Sequence, residues 1–393
     1  MGKLKILIAS ETYPPDLNGA ARFSEQLASS LAKNGHQVVV IAPSIGIKDS
    51  LEKKDGLKIF RMRSIPVKTI HPYFRAVVPL NINRKVQKII DDFGPDIIHI
   101  QNHFILGKAC FKAAKKNHIP IVGTGHFMPD NLLEYIPRRL NNRSSYFMWR
   151  DFVKVYNQLD CVTSPSYAAK NLVKKVGVKN KIFVISNGIN LDKFKKKKSS
   201  PEDFAKFGLK KDVPIFIFVG RLEKDKNVDL ILKASKLALA HTDFQVVIVG
   251  KGKDEKSFKN LAKELKLENK VFFTGPVGDQ DLSKLLNIAD VYIGSGSAEL
   301  QGIAVMEGLA MSLPVLVLNA VALPELVEDG VNGFLFELDA KDLAKKMTKI
   351  IARPDKLKKM GLESHRLIQK HSQVEIIKKF EKLYKSTISK YKA

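Results

Sequence analysis

The sequence predicts an α/β protein built from two doubly wound domains. Short runs of β-branched residues alternate with amphipathic stretches along the chain, a pattern typical of βαβ units and a parallel sheet. The chain has 393 residues, more than one hydrophobic core usually serves, and this length favours two domains of roughly 200 residues each. A lysine-rich segment, 193–201, interrupts the alternation, which then restarts.

We expect the first domain over residues 1–190, followed by a linker over 191–212. In the first domain, β-strands are expected at 4–9, 38–42, 96–100, 119–122 and 182–185, and helices at 21–33 and 105–117. Because parallel strands joined by crossover helices place their carboxyl ends at one edge of the sheet, ligand-binding residues are expected just after these strands.

The second domain is expected over residues 213–371. Its strands are expected at 213–219, 244–249, 271–274, 291–295 and 314–317, and its helices at 227–240, 254–265, 280–288 and 302–311. Residues 372–393 form a further helix with apolar residues at helical spacing, which we expect to pack back on the first domain. Two such domains facing each other would leave a cleft between the carboxyl ends of their strands, and we look for the site there.

Composition is that of a soluble, folded protein. Hydrophobic residues make up 45% of the chain and charged residues 27%. Cys110 and Cys161 form no CxxC pair, which fits a reducing cytoplasm. No apolar run approaches the roughly 18 residues of a membrane span. We therefore expect a cytoplasmic protein, either free or peripheral on the inner face of the membrane.

The net charge of +26 is the compositional outlier. It favours an anionic partner: phosphates, nucleic acid or a membrane surface. The alternative is that many of these lysines solvate helix faces, as in 263–266.

The most specific motif is a pair of glutamates, Glu299 and Glu307, that follows a predicted strand. If the span between them were helical, it would rise about 12 Å, the reach from a sugar across a diphosphate to a ribose. Each carboxylate can accept hydrogen bonds from two vicinal hydroxyls. The intervening N–H groups would lie at a helix N-terminus, a ready anion site; they belong to Leu300, Gln301, Gly302 and Ile303. The alternative is an ordinary helix with an acidic first turn.

Two cations follow the first strand of the second domain. Arg221 and Lys226 could neutralise a diphosphate leaving group, the arginine as a fork and the lysine as a point charge. Their alternative interpretation is solvated loop charge.

Two further candidates lie in the first domain. Gly19, ahead of a predicted helix, permits close backbone approach to a phosphate or sugar, or simply starts the helix. His126 follows a predicted strand within Gly-Thr-Gly-His, and a lone histidine there is either a ligand contact or structural.

Together these segments resemble the family 4 retaining glycosyltransferases of GT-B fold, which include lipid glucosyltransferases and phosphatidylinositol mannosyltransferases. The family's E-x7-E motif is matched at Glu299 and Glu307, and its Gly-Arg-Leu-x-x-x-Lys segment at 220–226. Its Asn-Gly-Ile-Asp segment is similar to 187–190. The resemblance covers essentially the whole chain.

The resemblance implies a metal-independent enzyme without a cofactor that transfers a hexose from a nucleotide diphosphate sugar. UDP-glucose is favoured as the donor, with GDP-mannose as the other candidate. In such enzymes Glu299 would hold the donor sugar, Glu307 the ribose, and Arg221 and Lys226 the diphosphate. His126 would contact the sugar near the reacting carbon, and the first domain would bind the acceptor.

The chain departs from the family pattern at three places. Asn190 stands where the family usually has aspartate, Ser312 replaces a common glycine, and 320–322 lacks the usual glycine before Pro324. None of these residues belongs to the charged set, so the departures concern donor packing and specificity.

A basic and aromatic stretch in the first domain indicates the acceptor, a membrane lipid or a soluble sugar. If residues 145–156 are helical, Tyr146, Trp149, Val153 and Tyr156 form an apolar stripe like that of an interfacial helix. The alternative is that the stripe packs into the domain. The cations expected at an anionic surface or acceptor are Arg138, Arg139, Arg143 and Arg150, with Trp149 beside them.

Other interpretations are weaker. The D-x-D sequence at 279–281 precedes an amphipathic stretch and favours a helix start over a metal site. The segment 250–255 begins like a dinucleotide fingerprint, but Glu255 takes the place of the third glycine. A nucleotide-sugar epimerase on the same fold is the nearest enzymatic alternative. A basic nucleic-acid-binding protein is the non-enzymatic one, although no zinc spacing or RNA-recognition motif supports it.

Overall fold

The structure, a computed structural model, describes residues 2–16, 18–67, 75–126 and 141–392, without the side chains of residues 141–143. It divides into two compact units. The first comprises Met1–Asn187 together with Val374–Ala393, and the second comprises Gly188–Gln373. The chain thus returns to the first unit only through its C-terminal helix.

The first unit contains an eight-stranded sheet and a small two-stranded sheet. The strands are β1 Lys5–Ala9, β2 Gln37–Pro43, β3 Ser50–Lys54, β4 Leu57–Met62, β5 Ser64–Pro66, β6 Arg75–Val77, β7 Ile97–Ile100, β8 Ile121–Thr124, β9 Cys161–Ser164 and β10 Ile182–Val184. The helices are α1 Gly19–Lys33, α2 Ile82–Phe93, α3 Ile105–Lys116, α4 Asn141–Tyr156 and α5 Tyr167–Lys175.

The large sheet has the order β10-β9-β8-β7-β1-β2-β4-β3 and is parallel except for β3. Strand order therefore reverses between β1 and β7. In open α/β sheets the crevice beyond the carboxyl ends at such a switch point is the usual ligand position.

The second unit contains a six-stranded parallel sheet, β13-β12-β11-β14-β15-β16, with helices between its strands. The strands are β11 Ile215–Val219, β12 Gln245–Val249, β13 Val271–Gly275, β14 Val291–Gly294, β15 Val315–Leu318 and β16 Gly333–Phe336. The helices are α6 Pro201–Ala205, α7 Val228–Ala238, α8 Glu255–Glu264, α9 Asp279–Ile288, α10 Ile303–Ala310, α11 Ala340–Ile351 and α12 Pro354–Ile368. The switch point here lies between β11 and β14.

The segment expected to be a linker, 191–212, belongs to the second unit. Phe194, Phe204 and Leu209 are buried in that unit's core. The many lysines of 193–198 conceal these apolar residues in the sequence, because the cations remain exposed while the rings between them pack inward.

The C-terminal helix, α13 Gln373–Lys392, packs on the first unit. Phe380 and Tyr384 are fully buried there with Ile6 and Ile8 of β1. The phenol of Tyr384 is also hydrogen-bonded to His99 Nδ1 at 2.7 Å. Apolar burial and a buried polar contact therefore both hold this helix in the first unit.

Candidate active site

The glutamate and cation motifs flank the switch point of the second unit. The segment 220–227 follows β11, the segment 295–302 follows β14, and β11 and β14 are adjacent parallel strands. Lys226 and Glu299, 73 positions apart in the sequence, are thereby brought to one edge of the sheet, where ligands of open α/β sheets bind.

Hydrogen bonds to the backbone hold these two loops together. Ser295 Oγ donates to the Lys226 carbonyl at 2.5 Å, and Ser297 N donates to the Asp225 carbonyl at 2.8 Å. The Asn227 side chain donates back to the Ser295 carbonyl at 2.7 Å. The positions of Lys226 and Asp225 are thus fixed relative to the loop that carries Glu299.

Five charged side chains form what we call the ion cluster. Lys226 Nζ lies 2.7 Å from Glu299 Oε1 and 2.9 Å from Asp225 Oδ2. Arg221 pairs with Glu223, and its second terminal nitrogen lies 3.8 Å from Asp225 Oδ2. The structure therefore brings together three of the residues that the sequence predicted, namely Arg221, Lys226 and Glu299.

The ion cluster keeps its lysine charged. Burial lowers the pKa of Lys226, but the carboxylates of Glu299 and Asp225 outweigh that effect and raise it above its ordinary value. Lys226 is 9% exposed, whereas the side chain of Arg221 is 36% exposed. The cluster thus contains one sheltered cation and one accessible to an incoming anion.

Glu307 is buried in α10, one helical residue before Gly308, whose backbone packs on the ring of Tyr292. Burial raises the pKa of Tyr292 well above its usual value, and the charges of Glu307 and Glu299 add to the rise. The Tyr292 hydroxyl donates to the Val219 carbonyl at the end of β11. Both glutamates of the motif are therefore close enough to Tyr292 to raise the pKa of its buried hydroxyl.

The span from Glu299 to Glu307 is not one helix, so the helical rise of about 12 Å does not apply to it. Helix α10 begins at Ile303, and its N-cap Gly302 adopts the left-handed conformation with φ 76°. That conformation ends a right-handed helix, and a Cβ at this position would also lie 2.5 Å from Leu323. Leu300 and Gln301 consequently precede the helix, and only Ile303 lies in its first turn.

The glycine-rich segment after β12 supports the cation loop. Leu222 N donates to the Lys251 carbonyl at 3.0 Å, and Asp254 N donates to the Leu222 carbonyl at 3.1 Å. A Cβ at Gly252 would lie 2.2 Å from the Leu222 carbonyl oxygen. The glycine that resembles part of a dinucleotide fingerprint is thus required for close packing against the loop that carries Arg221.

In the first unit, His126 follows β8 and contacts residues after neighbouring elements. Its Nε2 lies 3.1 Å from Gln101 Oε1, and its ring centroid is 4.9 Å from that of Phe23 in α1. Burial lowers the pKa of His126 to about 4. His126 is therefore a neutral hydrogen-bonding group at pH 7.

Gly19 is the exposed first residue of α1, and Asn18 caps this helix by accepting from Ala21 N at 2.9 Å. This loop, like those of Gln101 and His126, lies at the carboxyl edge of the first sheet. The preceding Leu17 lies outside the described residues.

The aromatic stripe proposed for the acceptor is divided by the structure. Tyr156 is fully buried, and Trp149 and Val153 pack against the first unit's core. Tyr146 and the adjacent Phe147 are instead 62% and 59% exposed. The stripe thus faces mainly inward, and the exposed aromatic surface lies at the start of the stretch.

The basic residues of this stretch are only partly described. Arg150 is exposed on α4. Arg138 and Arg139 lie outside the described residues, as does the side chain of Arg143.

The D-x-D sequence takes part in ion pairs. Asp279 begins α9 and lies 2.6 Å from Lys193 Nζ, and Asp281 lies 2.5 Å from Lys206 Nζ. Within residues 2–16, 18–67, 75–126 and 141–392, no group of three or more His, Cys, Asp or Glu side chains is arranged to hold a metal ion.

Three residues of these sites did not emerge from the sequence, and one of them is Glu223, the partner of Arg221. Asp225 is adjacent to Lys226 in the chain, and a carboxylate beside a buried cation could have been suspected from that adjacency alone. Gln101 belongs to no motif, and only the pairing of β7 with β8 places it beside His126.

Comparison with known proteins identifies the family. Residues 17–193 match the model of Glycosyltransferase Family 4, and residues 199–385 match that of Glycosyl transferases group 1. The two matches together span most of the chain. The chain belongs to the family 4 glycosyltransferases, as its motifs predicted.

One curated relative and two crystal structures illustrate the similarity. The chain is 27% identical over 396 residues to the alpha-monoglucosyldiacylglycerol synthase of Acholeplasma laidlawii, with 98% of each chain covered. A sucrose-phosphate synthase from Thermosynechococcus elongatus has a TM-score of 0.83 at 18% identity, covering 98% of this chain and 100% of the other. An Anabaena protein crystallised with UDP-glucose has a TM-score of 0.76 at 20% identity, with the same coverage. The predicted GT-B fold is confirmed, and the protein is a glycosyltransferase.

None of the helices in the described part of the chain is both long enough and apolar enough to cross a membrane.

Proposed function

We propose that the protein transfers a hexose, with retention of configuration and without a metal, from a nucleotide diphosphate sugar to a hydroxyl of a membrane lipid. UDP-glucose is the favoured donor and GDP-mannose the second. The observation that carries the proposal is the ion cluster, in which two cations and a motif glutamate meet at the switch point of the second unit.

In this proposal the second unit binds the donor. Arg221 and Lys226 contact the diphosphate, and Glu299 accepts hydrogen bonds from sugar hydroxyls. Glu307 binds the ribose. The carboxylates of the cluster hold the cations in place before the donor arrives, and the diphosphate then takes over part of their pairing.

The chemical step follows from this arrangement. The bond between the anomeric carbon and the diphosphate oxygen breaks, and its electron pair leaves with the diphosphate. Arg221 and Lys226 stabilise that growing negative charge, the kind of preorganised electrostatic effect that often dominates catalysis. The acceptor hydroxyl attacks the cation-like sugar on the face the diphosphate leaves, and its proton passes to a departing phosphate oxygen.

The first unit binds the acceptor in this proposal. Tyr146 and Phe147 are exposed aromatic residues, and Arg150 and Lys154 are exposed cations on the same helix. Aromatic rings beside cations suit an anionic membrane surface, where each cation adds about 1 kcal/mol. The name of the Acholeplasma relative specifies a glucosylated diacylglycerol, which supports diacylglycerol as the first acceptor to test. We accordingly place the protein on the inner face of the membrane.

A transfer assay tests the proposal. UDP-glucose and GDP-mannose are offered with diacylglycerol in anionic vesicles, in the presence of a chelator, and the product's anomeric configuration is determined by NMR. We expect an α-linked glycolipid from UDP-glucose, and a product of inverted configuration would contradict retention. Epimerised free nucleotide sugar without glycolipid would instead identify an epimerase.

Site variants connect this activity to the ion cluster. Glu299→Gln, Glu307→Gln and Arg221→Ala should each cut transfer about 10²-fold or more while leaving the protein folded. Arg366→Ala is the matched control, because Arg366 is exposed on α12 with its side chain 61% accessible. Near-normal rates in all three site variants would refute the assignment.

Vesicle sedimentation tests the membrane surface separately. Wild type should bind anionic vesicles more strongly than neutral ones at low salt. The variant Arg138/Arg139/Arg143/Arg150→Glu should lose that preference. Equal binding of wild type to both vesicle types would favour a soluble sugar acceptor.

A further inference from the structure

A buried amide contacts His126 from the end of the neighbouring strand. Gln101 directly follows β7, is fully buried, and is fixed by its own backbone N–H, which donates to the Ala9 carbonyl at 2.8 Å. Its Oε1 lies 3.1 Å from His126 Nε2. Gln101 is thus rigidly placed against one nitrogen of the histidine.

The position of one proton follows from this contact. Burial lowers the pKa of His126 to about 4, so the ring carries a single N–H at pH 7. With the Gln101 amide oriented so that its oxygen faces the ring, the contact places the proton on Nε2, because an amide oxygen only accepts a hydrogen bond. Nδ1 is left with its lone pair, and among the described residues it has no hydrogen-bond partner.

The surroundings keep this proton where it is. The titratable group that faces His126 is His99, whose pKa is lowered to about 3 by burial and by His126 itself. The apolar ring of Phe23 also lies against His126. No charged side chain among the described residues competes with Gln101 for the ring.

A second observation indicates a ligand. Gln101 Nε2 is buried and has no hydrogen-bond partner among the described residues. Buried amide groups are nearly always satisfied in native proteins, by protein, water or ligand. An oxygen-rich ligand such as a sugar would supply the missing acceptor.

We propose that Gln101 is the positioning residue for His126: its carbonyl oxygen fixes the Nε2–H tautomer, so that Nδ1 can accept a hydrogen bond from a hydroxyl of a sugar bound at the carboxyl edge of the first sheet. The inference rests on the proposed function for the ligand being a sugar, but the tautomer is a property of the protein alone.

The tautomer is measured by long-range ¹⁵N–¹H NMR on full-length, histidine-labelled protein, with the His126 signals assigned through His126→Asn. We expect the proton on Nε2 in wild type and a mixture of tautomers in Gln101→Ala. Gln245→Ala is the matched control, because Gln245 is an equally buried glutamine in the second unit with both amide atoms partnered. An Nδ1–H ring in wild type, or an unchanged ring in Gln101→Ala, would overturn the proposal.

Ligand addition then tests the sugar contact. UDP-glucose should move the Nδ1 resonance, and UDP alone should not, since UDP lacks the glucose. The Nε2–H tautomer with no response to UDP-glucose, in an enzyme that transfers glucose, would remove Nδ1 from the site. Absence of transfer from any donor would instead count against the proposed function.

Kinetics separate positioning from general support of the fold. Gln101→Ala should lower kcat about tenfold, the order expected for one neutral hydrogen bond, with little change in donor KM. Gln101→Glu retains an acceptor, but its carboxylate favours the imidazolium. The pH below which this variant loses activity should therefore lie above that of wild type. An identical pH profile for the two proteins would contradict a role through His126.

Discussion

The two units set the charge state of titratable groups at their sheet edges in opposite ways. In the second unit, Lys226 is nearly buried yet charged, because two carboxylates lie within 2.9 Å. In the first unit, burial keeps His126 neutral beside an amide. Charge is therefore concentrated at the sheet edge of the second unit, and uncharged hydrogen bonding at that of the first.

The same contrast extends beyond the proposed contacts. Burial lowers the pKa of His99 to about 3 and that of His103 to about 4. Burial also raises the pKa of Glu11 to about 7, even though its carboxylate accepts hydrogen bonds from Leu106 N and Gly107 N at the start of α3. At these positions the first unit favours uncharged forms, whereas the ion cluster of the second unit favours pairing.

The largest effect is expected from Lys226→Met. Removing this cation leaves Glu299 and Asp225 without their shared partner, and breaking a buried pair costs about 3 kcal/mol of unfolding free energy. Transfer should fall about 10²- to 10³-fold, as when a transition-state donor is lost. Lys233→Met is the control, because Lys233 pairs with Asp229 on an exposed face of α7. Equal effects of the two variants would show that the ion cluster has no special role.

Asp225→Asn should have a smaller effect on the same cluster. Lys226 would keep Glu299 but lose the contact at 2.9 Å with Asp225, so the lysine would be held less well for the diphosphate. We expect kcat/KM for the donor to fall about tenfold. Steady-state kinetics beside Asp229→Asn checks this, and an unchanged kcat/KM would exclude Asp225 as a positioning residue.

Much of the fold could be predicted from the sequence, because alternating β-branched and amphipathic segments specify parallel βαβ units. Arg221, Lys226 and Glu299 were found because their motifs directly follow strands. The shape of the 299–307 span was missed because it depends on the left-handed conformation of Gly302. A glycine in the sequence allows that conformation but does not require it. Gln101 was missed because its role exists only through strand pairing with β8.

Acid should destabilise the protein through the first unit. A histidine whose folded pKa is depressed contributes stability that is lost as pH falls below its ordinary value of 6.5 towards the folded value of about 4, because only the unfolded chain binds the proton there. Between pH 7 and pH 5, the unfolding free energy of His103→Phe should therefore fall by roughly 2 kcal/mol less than that of wild type. Denaturant unfolding at both pH values checks this, with exposed His241→Gln as the control. Parallel losses in all three proteins would contradict it.

Glu11→Gln should give the smallest effect, with the opposite pH dependence. The folded pKa of Glu11 is raised, so its contribution to stability is present below the ordinary value of 4.5 and is lost as pH rises through about 7. Glutamine keeps an acceptor for Leu106 N without a charge to bury. The unfolding free energy of the variant should therefore exceed that of wild type by about 1 kcal/mol at pH 8, and by less at pH 5. A larger gain in unfolding free energy at pH 5 than at pH 8 would contradict a raised folded pKa of Glu11.

The central claim is that the ion cluster of the second unit binds a nucleotide diphosphate sugar without a metal, and ligand-induced heat stability tests it most directly. UDP-glucose at about one hundred times its Kd should stabilise the wild-type protein by about 2.7 kcal/mol in the presence of a chelator, raising Tm by several degrees. The rise should be largely absent in Arg221→Ala and intact in Arg366→Ala. Protection by no nucleotide sugar, together with tight binding to random-sequence DNA, would contradict the account.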